Sequence, residues 1–263
     1  MVNRYIARTT VRATILQPPL LLLVVVQVAI IAIIIFGVHL EYDEHSSLSA
    51  TLFGRELTEG DTFLRLFLPT ITGFLTSAFM FLLIIGTSAL IPEMLDDPLV
   101  SVILTRPISR TRLFLSSFTG MLIAVFANLI AFALILSLVL TAKGSSTPII
   151  APLLGSLCFA VEFLVVAACC TLCGLVTESA NATAIVGIVL YFGLGPMITT
   201  VDQSGNSLLK ALSYVIPPTG RLAAGTQKLL LGTSTVFPPL LSSLIPAFGY
   251  VAAATYLFHR RDL

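Results

Sequence analysis

From Pro18 to Val38 the chain carries no charged residue and one polar side chain, Gln27. A run of this length matches the roughly 20 residues an α-helix needs to cross the hydrocarbon core of a bilayer. The same theme recurs along the rest of the sequence. Of the 263 residues, 57% are hydrophobic and 10% charged, and the mean hydropathy is +1.02. Soluble domains carry about 25% charged residues. Too little polar surface is available to coat a water-soluble particle, so the chain reads as an integral membrane protein. The net charge of +1 gives no bulk attraction to nucleic acid. The expected fold is all-α, with membrane-spanning helices.

The apolar runs predict six spans, over 18–38, 64–91, 113–140, 149–176, 182–200 and 238–258. Ahead of the first, residues 1–17 place Arg4, Arg8 and Arg12 at i, i+4, i+8. This spacing reads as a basic amphipathic helix lying at the membrane surface. A signal-peptide n-region is the competing reading. Against it, the following run is long for a signal h-region, and no small-x-small cleavage site follows. The segment from His39 to Asp61 is acidic and is expected as an outer loop. Gly193, Gly195 and Pro196 weaken the outer end of the fifth span. Between 201 and 237 two apolar-rich stretches, 208–216 and 222–231, are too short to span, and read as interfacial or re-entrant helices. Six spans put both termini on one side, together with Arg106, Arg110, Arg112, Arg260 and Arg261. The positive-inside rule then places the termini and the central loop 92–112 in the cytoplasm of a cell-membrane protein.

That central loop has a helix pattern of its own. Asp97 before Pro98 is a strong helix start, since the Asp oxygen caps a free N–H and Pro at the first position loses no needed donor. Leu99, Val102 and Ile103 fall on one face. Arg106 sits near the helix's negative end, and Pro107 stops it. A helix this short is not stable alone. It docks on a partner protein, lies on lipid headgroups, or frays in solvent; the apolar face favours docking.

Little in the sequence carries chemistry. There is no G-x-x-x-x-G-K-[ST] phosphate loop, so ATP is not bound here by that device. No His lies mid-span and no metal constellation stands out. Cys158, Cys169, Cys170 and Cys173 lie in one apolar stretch and form no extracellular disulfide framework. Cys169 and Cys173 share a helical face, which suits helix packing better than soft-metal binding. Gln27 and Asn128 are expected to hydrogen-bond between helices. Glu162 is the one ionisable residue deep in a span. It marks a substrate or proton path, or it is a protonated carboxyl bonded to a neighbouring helix.

The loop sequence Leu104-Thr105-Arg106-Pro107-Ile108-Ser109-Arg110, preceded by Glu93 and Leu99 and followed by Leu113 and Leu115, resembles the cytoplasmic loop of ABC-type-2 permease subunits. Glu93, Leu99, Pro107, Ser109 and Arg110 match that family's pattern. Asp97-Pro98 replaces its Gly-Thr, and Ser116-Ser117 its Gly-Lys. The resemblance implies that 1–263 is a single permease domain of an ATP-driven transporter, an exporter that forms the substrate path as a homodimer. Two separate ATPase subunits would bind ATP and Mg, with no cofactor in this chain and no catalysis of its own. Glu93, Asp97, Leu99, Val102, Ile103, Arg106 and Arg110 would couple to the ATPase. The family's second and fifth spans line the path, which puts Thr72 and Thr76 there beside Glu162 as pathway candidates. The alternatives are a non-transporting anchor or mechanotransmitter for an ATPase, and an ATP-independent secondary transporter. Poverty of buried charge counts against the last.

Overall fold

A computed structural model describes residues 10–12, 14–42, 48–52, 55–56, 60–90, 92, 109–142, 150–195, 197 and 240–260. Its packed body is all-helical. The helices are α1 (Pro18–Gly37), α2 (Gly60–Ser88), α3 (Arg110–Ala142), α4 (Ile150–Thr177), α5 (Ala180–Ile188) and α6 (Leu240–Arg260). A π-helical turn, Val189–Leu194, follows α5 directly. Each helix overlaps an apolar run read from the sequence, with ends that differ from the expected bounds by up to several residues. Among the described residues three stretches are long and apolar enough to cross a membrane: Pro18–Gly37, Arg110–Val139 and Leu153–Thr177. The expected re-entrant stretches at 208–216 and 222–231 lie outside the described residues.

One element departs from the expected outer loop. Val38–Tyr42 (β1), Leu48–Leu52 (β2) and Arg55–Glu56 (β3) pair in order as a small antiparallel sheet. Val38 stands opposite Leu52 and Tyr42 opposite Leu48. The backbone leaving α1 thus finds hydrogen-bond partners as soon as the helix ladder stops, as buried or interfacial backbone must.

Helix starts follow local chemistry. Pro18 and Pro19 open α1, where missing donors cost nothing. At α3, Ser109 is the N-cap. Its hydroxyl oxygen accepts from the Arg112 N–H at 3.4 Å, and its carbonyl accepts from Leu113 at 3.2 Å. The Pro-Ile-Ser-Arg motif therefore ends at a capped helix start.

The bundle is organised around α4, which packs against α2, α3, α5 and α6, most extensively against α6. Most of α4 is buried within the protein, whereas α1 and α3 are largely exposed. Leu22, Val25, Val28, Ile33 and Phe36 of α1 face outward. So continuous an apolar surface suits lipid and not water. The core joins Met80, Leu83 and Ile84 of α2 to Phe118 and Val125 of α3 and to Phe159, Phe163 and Val166 of α4. Phe79 meets Phe132 edge to face, with centroids 5.5 Å apart, fastening α2 to α3.

Lipid tails are as apolar as Leu, so burying Leu against another helix gains little in a bilayer. Close packing and interhelical hydrogen bonds must hold the helices together instead. Several Ser and Thr hydroxyls are spent locally: those of Ser137, Thr141, Thr177 and Thr255 donate to the carbonyl four residues back. The amides do the interhelical work. Gln27 Nε2 donates to Asn128 Oδ1 at 2.9 Å, and Asn128 Nδ2 donates to Gln27 Oε1 at 3.2 Å. Each side chain satisfies the other and ties α1 to α3. Replacing Gln27 by Leu strands the Asn128 amide. It should lower stability by about 1 kcal/mol, the scale of such bonds within membranes. Gln27→Leu combined with Asn128→Leu should recover part of that loss, because no half-satisfied pair remains. Unfolding in mild detergent, run as a double-mutant cycle, measures the coupling; strictly additive losses would mean the amides do not pair.

Candidate functional site

The interface of α4 with α5 and the π turn carries several deeply buried polar groups, Glu162, Thr171 and Thr183 among them. It begins at the tight turn between them. Glu178 adopts a left-handed backbone conformation with φ 54°, and its N–H donates to the Gly174 carbonyl at 3.0 Å, closing α4. Ser179 follows in extended conformation and caps α5, its hydroxyl oxygen accepting from the Ala182 N–H. The chain reverses in these few residues, so α5 runs antiparallel along α4.

Their contact then advances in steps of four residues. Space for a side chain at Gly174 is limited by Thr183 Oγ1 at 3.1 Å from the Cβ position. One turn on, a Cβ at Gly187 would meet Cys170 Sγ and Ile84 Cγ2, each at 2.7 Å. Both distances are well inside ordinary carbon contact. Only glycine at 187 lets α5 seat against α4 and α2 together. Thr183, Gly187, Tyr191 and Gly195 are all buried. A spacing of four drifts around an α-helix of 3.6 residues per turn. The π turn at Val189–Leu194 takes up the excess and keeps Tyr191 on the buried side. Phe192, the next residue, points outward and meets Phe81 of α2 edge to face at 6.3 Å.

This geometry brings Tyr191 to Glu162. The Tyr191 hydroxyl lies against the Glu162 carboxyl, within hydrogen-bonding reach. Glu162 is 1% exposed, and among the described residues its Oε1 atom has no hydrogen-bond partner. Cys158, one turn back on α4, is the other titratable group near it among the described residues. Among the described residues no basic side chain pairs with the carboxyl. Leaving a buried oxygen unsatisfied is costly. Such a cost in a native site calls for an explanation, and π turns are frequent at functional sites.

The other sequence-derived candidates are not assembled here. Glu93, Asp97, Leu99, Val102, Ile103 and Arg106 lie outside the described residues. Arg110 opens α3 and is half-buried. Thr72 belongs to α2, and Thr76 is a half-buried residue of the same helix. Tyr191 was not among the candidates, although a phenol in an otherwise apolar span is a signal in itself, since its hydroxyl needs a partner. The four thiols are free, three of them buried. Among the described residues no group of three or more His, Cys, Asp or Glu converges. No protein-family model matches the sequence, and no curated protein matches it.

Proposed function

We propose that this chain is the permease subunit of an ATP-driven transporter of the ABC-type-2 class. It crosses the cell membrane six times, with both termini in the cytoplasm, and pairs with a second copy to form an export path. Two separate ATPase subunits dock beneath it on the segment 92–112. The observation that carries this reading is the motif Pro107-Ile108-Ser109-Arg110, whose Ser caps the start of a long apolar helix. With the short helix that the sequence predicts ahead of Pro107, this makes the helix–Pro–helix layout which a coupling loop requires. The helices standing in each of the apolar runs support the same layout. Glu162, with Tyr191, is the membrane-embedded polar group of the path.

The apolar face of Leu99, Val102 and Ile103 is the proposed seat for the ATPase. Burying it in a partner groove contributes a few kcal/mol, at about 25 cal/mol per Å² removed from water. Arg106 and Arg110 at the rim contribute less, since exposed ion pairs are worth about 0–1 kcal/mol. Val102→Asp is therefore expected to release the ATPase, or to uncouple its hydrolysis from transport, while the permease still inserts. Arg110→Ala should do less. The measurement is co-purification of the ATPase with each variant, together with its ATP hydrolysis rate. Retention of the partner with full coupled activity in Val102→Asp would remove the assignment's main support.

A further inference from the structure

Where the C-terminal ends of α2 and α4 meet the start of α5, a small cavity is lined by Thr87, Ser88, Met121, Cys170, Thr171 and Thr183. It has room for a single water-sized occupant. All four hydroxyl residues are buried. Three have already spent their one proton on their own helices. Thr87 Oγ1 donates to the Leu83 carbonyl at 2.7 Å, Ser88 Oγ to Ile85 at 2.9 Å, and Thr183 Oγ1 to Ser179 at 2.8 Å. A hydroxyl has one donor and two lone pairs, so these oxygens offer the cavity only acceptors. Its occupant must therefore donate.

We propose that this cavity binds one water molecule, which donates to hydroxyl oxygens on α2 and α5 and bridges them at Thr171 of α4. The acceptor pattern and the size together select water. Among the described residues no carboxylate lines the cavity, and a bare cation there would carry an uncompensated desolvation cost of several kcal/mol. A bridging water needs two to four polar partners, and four stand around it. Where apolar burial holds helices only weakly, such a bridge ties three of them at one point. The position is not incidental. A Cβ placed on Gly174 would lie 3.6 Å from Pro92 Cδ and 3.1 Å from Thr183 Oγ1. The water thus sits beside the base of the segment 92–112. The proposal does not rest on the transporter reading.

Synchrotron radiolytic footprinting of the full chain in lipid nanodiscs tests it, because hydroxyl radicals generated from a held water oxidise the side chains that touch it. Met121 lines the cavity and is 3% exposed; Met80 is 0% exposed and lines neither this cavity nor the apolar one beside α1. Met121 should be oxidised well above Met80 despite similar burial. Thr183→Val should reduce Met121 oxidation several-fold, Thr183→Ser should preserve it, and Met80 should stay constant throughout. Thr87→Val supplies the same comparison should Thr183→Val fail to fold. Equal oxidation of the two methionines in the wild type would overturn the proposal, as would oxidation of Met121 that survives loss of the hydroxyls.

Discussion

Gly187→Leu is expected to abolish the folded bundle, the largest effect of any single substitution in the described region. The first carbon added at 187 would stand 2.7 Å from both Cys170 Sγ and Ile84 Cγ2. Cys170 belongs to the most buried helix, and Ile84 is 1% exposed in the core of α2. Neither can swing into solvent. The collision must be relieved by moving α5 away from both helices, which also pulls Tyr191 from Glu162. Even Gly187→Ala should cost about 1–3 kcal/mol, the usual penalty for overpacking a filled core. The effect has a specific remedy. Ile84→Ala removes the Cγ atoms on one side, so Gly187→Ala with Ile84→Ala should be less destabilised than the sum of the singles. Thermal unfolding in lipid, with the fraction of monodisperse protein as the second readout, decides it. A melting temperature unchanged in Gly187→Leu would mean that the helices do not approach as closely as this.

The helices were legible because lipid imposes a simple rule: uninterrupted apolar runs become helices whose backbone satisfies itself. Gln27 and Asn128 were legible for the same reason, since amides in such runs need interhelical partners, and they find each other across 101 residues. The depth of Glu162 followed from its place in the run. Its partner did not. Tyr191 reaches it only because α5 folds back antiparallel and a π turn adjusts the face, and neither the register nor the turn leaves a mark on one residue. The strand after α1 was missed differently. Val38-His39-Leu40-Glu41-Tyr42 alternates apolar and polar residues, the period of a strand, but the acidic charge of the segment drew the reading towards a loop. The alternation is present in the sequence, and the acidic residues around it mask it.

Glu162 and Tyr191 separate stability from function when changed together. Glu162→Leu leaves the Tyr191 hydroxyl buried without its acceptor, a loss of about 1–3 kcal/mol. Tyr191→Phe alone should cost at least as much, because the carboxyl, whose Oε1 already has no partner among the described residues, would then have neither oxygen bonded. The combination Glu162→Leu with Tyr191→Phe removes both halves of the polar pair and replaces them with apolar groups, a change that is nearly neutral or stabilising. Its melting temperature should return close to the wild-type value. A site retained only for packing would then work normally. A site that contacts cargo or moves a proton would not, since the one buried carboxyl of α4 is gone. The expected result is therefore a stable, assembled complex with severely reduced transport-coupled ATP hydrolysis. Glu162→Gln keeps the acceptor for Tyr191 and nearly the same volume, so it should preserve stability while lowering activity. Melting temperature and the ATPase rate of the co-purified complex, measured on all four variants, give the comparison. Full activity in the stable double variant would reduce the pair to a packing device, and the place of Glu162 in the path would fall with it.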